Sequence, residues 1–137
     1  MTERLVMRLT AAQWTVYTDP TRMRILVAGR RFGKTHLAAH ELMRTAVNQK
    51  GSTSWYIAPT YGMARDVMLP KLKELIPPGY VSSLDQTDLR ITLRNGSVIA
   101  LRSSDNPDRL RGAGLDLVVP DEMAYQDPAV WPTIRPA

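Results

Sequence analysis

The 137-residue sequence contains no cysteine, a single phenylalanine and no run of about 20 uncharged apolar residues. Without cysteine the chain can form neither disulfides nor thiolate metal sites, which is compatible with a reducing cytosol. We expect no transmembrane helix, and Met1–Leu9 contain no apolar stretch of signal-peptide length. These absences predict a soluble protein that is not secreted and has no membrane partner.

The charged residues are unequal in number, with 18 lysines and arginines against 13 aspartates and glutamates, for a net charge of +5. This excess favours a polyanionic partner such as DNA or RNA, although a phosphate-binding loop would account for part of it. A chain of 137 residues corresponds to one ordinary domain with a single core.

A phosphate-binding loop is predicted at residues 28–35, Ala-Gly-Arg-Arg-Phe-Gly-Lys-Thr. It follows Ile25–Val27, which we interpret as a strand, and precedes a predicted helix over Leu37–Val47. The first glycine of the loop stands one position later than the P-loop consensus requires. The strand, loop and helix together nevertheless favour a nucleotide site.

In such a loop the backbone amides and the helix N-terminus point at the phosphates. Lys34 would reach the β and γ phosphates, and the Thr35 hydroxyl would bind Mg²⁺. The remaining phosphate-binding candidates of the loop are Gly29, Arg30, Arg31 and Gly33. The predicted ligand is ATP or GTP.

Two acids follow a second aliphatic segment, Leu115–Val119, which reads as a buried strand that ends at Pro120. Ligands of parallel sheets gather at the carboxyl ends of the strands, where Asp121 and Glu122 would emerge. Asp121 would bind Mg²⁺, and Glu122 would orient and activate the water that attacks the γ-phosphate. This arrangement favours hydrolysis over binding alone.

Arginines near this predicted site would compensate the charge that develops on the transferred phosphoryl group. Arg30 and Arg31 lie within the loop itself, whereas Arg109 and Arg111 lie in a glycine-flanked segment just before the second aliphatic strand. For any single arginine, a solvated surface charge is an equally good interpretation.

Local patterns predict the other elements. Thr10–Gln13 is typical of a capping box, and Gln13 either caps that helix or contacts an adenine ring. Asn95-Gly96 between alternating apolar runs predicts a β-hairpin. The other predicted elements are a strand over Ser54–Ala58, a helix over Met63–Ile76 interrupted by Pro70, and a loop over Ser103–Gly114. The fold class is α/β: a twisted, mainly parallel sheet flanked by helices, with an inserted hairpin.

In combination these motifs resemble the ATPase domain of the large terminase subunit of tailed bacteriophages. The resemblance extends from about Leu9 to Arg135 and includes Trp-Tyr-Ile-Ala-Pro-Thr-Tyr, Arg-Leu-Arg-Gly-Ala-Gly-Leu-Asp and Val-Val-Pro-Asp-Glu-Met-Ala. It implies a P-loop ATPase that translocates double-stranded DNA into a procapsid in the cytoplasm of the bacterial host. It also implies a portal protein and a small terminase subunit as partners, and a homo-oligomeric ring for the full-length protein.

By position, the resemblance assigns Lys34 and Thr35 to phosphates and Mg²⁺, Asp121 to Mg²⁺, and Glu122 to catalysis. It further implies that Arg30 is an arginine finger acting in cis, that Arg109 or Arg111 acts in trans, and that Gln13 contacts adenine. We expect residues 1–137 to be the N-terminal part of such a domain, without its C-terminal part and the nuclease. The alternatives are a helicase-like translocase and a non-hydrolysing nucleotide- or DNA-binding assembly module.

Overall fold

The computed structural model describes residues 9–27, 32–104, 114–122, 129–130 and 132. Its elements in chain order are α1 (Ala11–Tyr17), α2 (Lys34–Asn48), β1 (Thr53–Ala58), α3 (Tyr61–Met63), a π-helix (Ala64–Met68), α4 (Leu69–Leu75), a 3-10 turn (Pro78–Tyr80), β2 (Val81–Asp85), β3 (Arg90–Leu93), β4 (Val98–Ser103) and β5 (Leu117–Pro120). Helices and strands mix along the chain, as the α/β prediction requires. No helix within the described ranges has the length and apolar character needed to cross a membrane.

The five strands form one sheet in the order β2-β3-β4-β1-β5. Strand β1 runs parallel to β4 and β5, which gives the sheet its parallel core, while β2, β3 and β4 pair antiparallel. Tyr56 and Ala58 of β1 belong to the apolar cluster on one face, and Trp55 and Ile57 to the cluster on the other. Strand β1 is therefore a near-continuous apolar segment because it is buried on both faces.

Helix α2 covers one face of this sheet. Its apolar residues Ala39, Leu42, Met43 and Ala46 recur at helical spacing and are all at most 1% exposed. Full burial of a side chain such as Leu42 contributes about 1.5–3 kcal/mol. A short connection joins α2 to β1, so the helix runs back along the strand. Its N-terminus consequently lies at the carboxyl edge of the parallel core.

The predicted hairpin is confirmed, since β3 and β4 pair antiparallel around the Asn95-Gly96 turn. The Asn95 side chain donates to the backbone carbonyl of Ala46 at 2.8 Å, which fastens the turn to the end of α2. A third strand, β2, extends the hairpin and was not predicted. Its sequence, Val-Ser-Ser-Leu-Asp, has little apolar alternation because it is a partly exposed edge strand.

The interpretation of Ile25–Val27 as a strand is wrong. These residues have no regular secondary structure, and Ile25 and Val27 are 95% and 92% exposed. Three apolar residues cannot satisfy their own backbone groups, so a strand requires a paired neighbour. None of the described strands pairs with this segment.

The interruption predicted at Pro70 is confirmed. A π-helix precedes α4 and ends with a hydrogen bond from the Leu69 amide to the Ala64 carbonyl. Pro70 then occupies the first turn of α4. Proline has no amide proton to donate, so the regular hydrogen-bond ladder restarts there.

A partly buried ion network joins α1 to α2. Glu41 of α2 accepts hydrogen bonds from Arg24 at 3.1 Å and from Arg44 at 2.7 Å. Arg44 also donates to the Tyr17 carbonyl at 2.8 Å and stacks over the Tyr17 ring. Because this network fixes α1 against α2, it also fixes the position of Gln13 on α1.

Candidate active site

Helix α2 begins at the end of the predicted phosphate loop, with Gly33 as its N-cap residue and Lys34 as its first helical residue. Gly33 has φ = 80°, in the left-handed region that a residue without a Cβ adopts at little cost. The Leu37 amide donates to the Gly33 carbonyl at 3.0 Å and starts the helical ladder. Lys34 and Thr35 thus occupy the first turn, where free amides and the helix dipole favour an anion.

Gln13 connects α1 to this loop. The capping box is confirmed, because the Gln13 side chain accepts from the Thr10 amide and the Thr10 hydroxyl accepts from the Gln13 amide. The Gln13 Nε2 atom also donates to the Phe32 carbonyl at 2.6 Å and to the Gly33 carbonyl at 3.3 Å. A Cβ at Gly33 would collide with that amide nitrogen. An adenine contact of Gln13 stays a prediction.

The two acids lie at the carboxyl edge of the sheet. Strand β5 pairs in parallel with β1, and the Asp121 amide donates to the Ile57 carbonyl at 2.9 Å just after the strand. The Tyr56 hydroxyl donates to Asp121 Oδ2 at 2.6 Å, and the Glu122 amide donates to Asp121 Oδ1 at 2.8 Å. Both oxygens of the Asp121 carboxylate therefore have a hydrogen-bond donor.

Burial and the adjacent Asp121 carboxylate raise the pKa of the Tyr56 hydroxyl far above its ordinary value. The hydroxyl consequently keeps its proton and remains a donor. Sequence reasoning did not identify Tyr56, because it reads as an ordinary aromatic residue of a buried strand. Only the pairing of β1 with β5 brings it to Asp121.

Glu122 has a constrained backbone and an exposed side chain. Its φ is 52°, which is unusual for a residue other than glycine, asparagine or aspartate. Such a conformation costs on the order of 1–3 kcal/mol and occurs preferentially at functional sites. Glu122 is also exposed at the surface.

A cleft of about 350 Å³ lies between the start of α2 and the end of β5. Its lining residues are Gly33, Lys34, Thr35, His36, Lys71 and Glu122. The loop lysine and threonine therefore line the same cleft as a glutamate almost 90 positions away along the chain. Its volume falls within the range of small-ligand sites, roughly 300–1,000 Å³.

Lys71 of α4 is a second lysine that lines the cleft. No sequence pattern distinguishes this lysine from the other charged residues of the predicted helix. It reaches the cleft because α4 packs beside α2 after the restart at Pro70.

The donor atoms near the cleft fit a magnesium ion. Mg²⁺ prefers hard oxygen ligands and is usually held by one or two carboxylates or hydroxyls together with waters and substrate phosphates. Thr35 and Glu122 line the cleft, whereas Asp121 is not among the lining residues and is joined to the Glu122 amide through its carboxylate. Among the described residues no group of three or more His, Asp or Glu side chains is placed to hold a metal.

Five predicted site residues lie outside the described residues: Gly29, Arg30, Arg31, Arg109 and Arg111. Their roles stay predictions. The predicted loop over Ser103–Gly114 also lies mostly outside the described part of the chain.

Comparison with known protein families gives a match over most of the sequence. A family model described as the N-terminal region of the terminase large subunit, T4likevirus-type, matches residues 25–129. The terminase large subunits of Thermus phage G20c and Thermus virus P23-45 are each 30% identical to this chain over 139 residues. The aligned region covers 87% of this chain and 28% of each relative.

Solved structures give a similar result. The ATPase domain of the Thermus phage P74-26 large terminase superposes with a TM-score of 0.82 at 27% identity, over 94% of this chain and 59% of that domain. A mutant of the same domain, in which alanine replaces an arginine, superposes with a TM-score of 0.79 at 28% identity, over 94% of this chain and 60% of that one. The described α/β sheet thus has the fold of that domain.

Proposed function

Because this chain belongs to the family of terminase large subunits, we propose that it is an ATP-hydrolysing motor domain that drives double-stranded DNA into a phage procapsid. The observation that carries the proposal is the cleft in which Lys34, Thr35 and Glu122 meet. An ammonium group, a helix N-terminus and a carboxylate at one small cleft are the groups that phosphoryl transfer to water requires. The chain spans 28% of the length of the curated relatives, so the activity of the whole protein is part of the proposal.

In the proposed reaction the first turn of α2 binds the phosphates through its amides, and Lys34 neutralises the β and γ phosphates. Glu122 orients a water for in-line attack on the γ-phosphorus and accepts its proton. Thr35 and Asp121 would hold Mg²⁺, which when bound neutralises the phosphates and polarises the reacting phosphoryl group. Arginine residues would supply further positive charge, with Arg30 acting in cis and Arg109 or Arg111 in trans.

We also propose that residues 1–137 form the N-terminal part of the ATPase domain, in keeping with the N-terminal description of the matching family. The expected setting is the cytoplasm of the bacterial host. The expected partners are double-stranded DNA, a portal protein, a small terminase subunit and further copies of the full-length protein in a ring. The net charge of +5 favours the DNA contact.

Phosphate release from ATP, measured with and without double-stranded DNA, tests the reaction. We expect Glu122→Gln to lower turnover by about 10²–10⁴-fold, because the general base is lost while the nucleotide still binds. Glu74→Gln is the matched control, since Glu74 is an exposed glutamate of α4. Equal turnover in the wild type and Glu122→Gln would contradict the assignment of the base.

Binding is tested separately with a fluorescent ATP analogue. We expect Lys34→Ala to abolish binding, while Lys73→Ala, at an exposed position of α4, leaves it unchanged. Salt-sensitive DNA binding by a wild-type chain that shows no turnover would instead favour the non-hydrolysing assembly module.

A further inference from the structure

We propose that Tyr56 is a positioning residue whose hydroxyl fixes the carboxylate of Asp121 in the orientation required to bind Mg²⁺. The inference rests on the proposed function, because it concerns the same metal. It adds a residue of β1 that lies outside both nucleotide-binding motifs of the sequence.

The contact is short and partly buried. The Tyr56 hydroxyl lies 2.6 Å from Asp121 Oδ2, within the range of about 2.5–2.7 Å for a hydroxyl that donates to a carboxylate. The Tyr56 side chain is 4% exposed and belongs to the apolar cluster beneath α2. A ring packed in this way has little rotational freedom, so its hydroxyl is a fixed reference point for Asp121.

The second oxygen of the carboxylate is also fixed. Asp121 Oδ1 accepts from the Glu122 amide at 2.8 Å, and the Asp121 amide itself is bonded to the Ile57 carbonyl at 2.9 Å. The aspartate is therefore held through its backbone and through each of its oxygens. Each carboxylate oxygen has further lone pairs, so these bonds orient the group and leave it able to bind a cation.

Hydrogen bonds of this kind matter for metal binding because they select one orientation of the ligand before the metal arrives. Loss of such a partner typically weakens metal binding or activity by about 10- to 100-fold. Tyr56 is well suited to this role because its own position is set by packing on β1, which is independent of nucleotide. A flexible side chain at the surface would first have to be fixed in one conformation before it could orient the Asp121 carboxylate.

Two residues allow a matched experiment. Tyr56→Phe removes the hydroxyl and keeps the ring, so the packing under α2 is preserved. Tyr61→Phe is the control, because the Tyr61 hydroxyl also makes one short hydrogen bond, 2.7 Å to the Thr87 carbonyl, without a carboxylate partner. The two variants remove the same atom from different surroundings.

The first measurement titrates MgCl₂ into the protein with a non-hydrolysable fluorescent ATP analogue. We expect Tyr56→Phe to require about 10- to 100-fold more Mg²⁺ than the wild type, and Tyr61→Phe to require the same amount. Affinity for the analogue in EDTA should be equal in all three proteins. An unchanged Mg²⁺ requirement in Tyr56→Phe overturns the inference.

The second measurement needs neither nucleotide nor metal and thereby separates this inference from the proposed function. In urea unfolding, Tyr56→Phe should lower the equilibrium constant for folding by about tenfold in the wild-type background, as expected for loss of a hydrogen bond to a charged group. The effect should vanish or reverse in the Asp121→Ala background, whereas the effect of Tyr61→Phe should be the same in both. Additive effects of Tyr56→Phe and Asp121→Ala on the free energy of unfolding overturn the inference. A wild-type chain that binds no nucleotide contradicts the proposed function alone.

Discussion

The antiparallel and the parallel halves of the sheet differ in how far apart their paired residues lie along the chain. In the antiparallel half, β3 and β4 are joined by a tight turn at Asn95-Gly96. In the parallel half, Tyr56 and Asp121 touch although they are 65 positions apart. The hairpin half therefore depends on contacts that are local in sequence, whereas the groups of the proposed chemistry come together through contacts between distant residues.

This division follows from the geometry of sheets. A hairpin needs only a two-residue turn, whereas parallel neighbours require a long connection that returns the chain to the same edge. Such returns bring the ends of several strands together at one carboxyl edge, where loops and helix termini can meet. The candidate site lies at that edge, and the hairpin turn lies at the other end of α2.

The largest expected effect tests whether the two halves are separable. Ile91→Ala removes a side chain of β3 that is 2% exposed, and it should destabilise the protein by about 2–5 kcal/mol. Affinity of the folded protein for the fluorescent ATP analogue should be unchanged, because Ile91 is not among the residues that line the cleft. Urea unfolding gives the first quantity, and a titration without denaturant gives the second. A loss of nucleotide affinity in the folded Ile91→Ala protein would contradict the proposal that the two halves are separable.

A smaller effect concerns the attachment of α1 to the site half. Glu41→Gln retains the shape of the side chain but removes the charge that pairs with Arg24 and Arg44, at a cost of about 1.5–3 kcal/mol. The exposed Glu74→Gln variant should differ from the wild type by less than about 0.5 kcal/mol. Urea unfolding of both variants measures the difference. Equal stabilities would show that the network contributes nothing to the attachment.

Two glycines with similar backbone angles allow the same substitution to be compared inside and outside the candidate site. Gly33 and Gly51 have φ of 80° and 72°, so alanine at either position should cost about 1–2 kcal/mol. A Cβ at Gly51 meets nothing within 4 Å, whereas one at Gly33 displaces the Gln13 amide. We therefore expect only Gly33→Ala to weaken nucleotide binding, measured by fluorescence titration. Equal nucleotide affinity in the two variants would contradict a role for the Gln13 contact.

The smallest effect concerns the cap of α1. Thr10→Ala removes the N-cap hydroxyl and should cost about 1 kcal/mol. Thr15→Ala, within the same helix, should be neutral or slightly stabilising, because its hydroxyl bonds only to the Ala11 carbonyl of its own helix. Thermal unfolding monitored by circular dichroism compares the two. A larger loss for Thr15→Ala would reverse the assignment of the cap.

Much of the site could be predicted from local sequence. The glycine, lysine and threonine that open α2 have fixed spacing because one helix turn must present its amides and two side chains to the same phosphates. The acids after β5 are predictable because an aliphatic run followed by charge is typical of the end of a strand. The prediction of a buried strand over Leu115–Val119 is wrong in part, since β5 is Leu117–Pro120, lies at the edge of the described sheet and is only partly buried. The capping box at Thr10 and Gln13 is predictable because both partners lie within one helical turn.

Other features could not be predicted, because they depend on distant partners. Ile25–Val27 has the composition of a strand, but pairing decides whether an apolar segment becomes one. Strand β2 is the opposite case, because its sequence is polar and it forms a strand by pairing with the edge of β3. Lys71 reaches the cleft only because α4 lies beside α2.

The amino-acid sequence alone was sufficient to predict a helix over Leu37–Val47, which in the structure extends over Lys34–Asn48. It was also sufficient to predict the hairpin at Asn95-Gly96 and the kinds of groups able to bind a nucleotide. The spacing of residues within one helical turn or one tight turn is a local property, so it does not depend on a partner elsewhere in the chain. The hydrogen bond between Tyr56 and Asp121 and the cleft shared by Lys34 and Glu122 arise only in the folded chain. Those contacts depend on the order of strands in the sheet, which is set by burial over the whole chain.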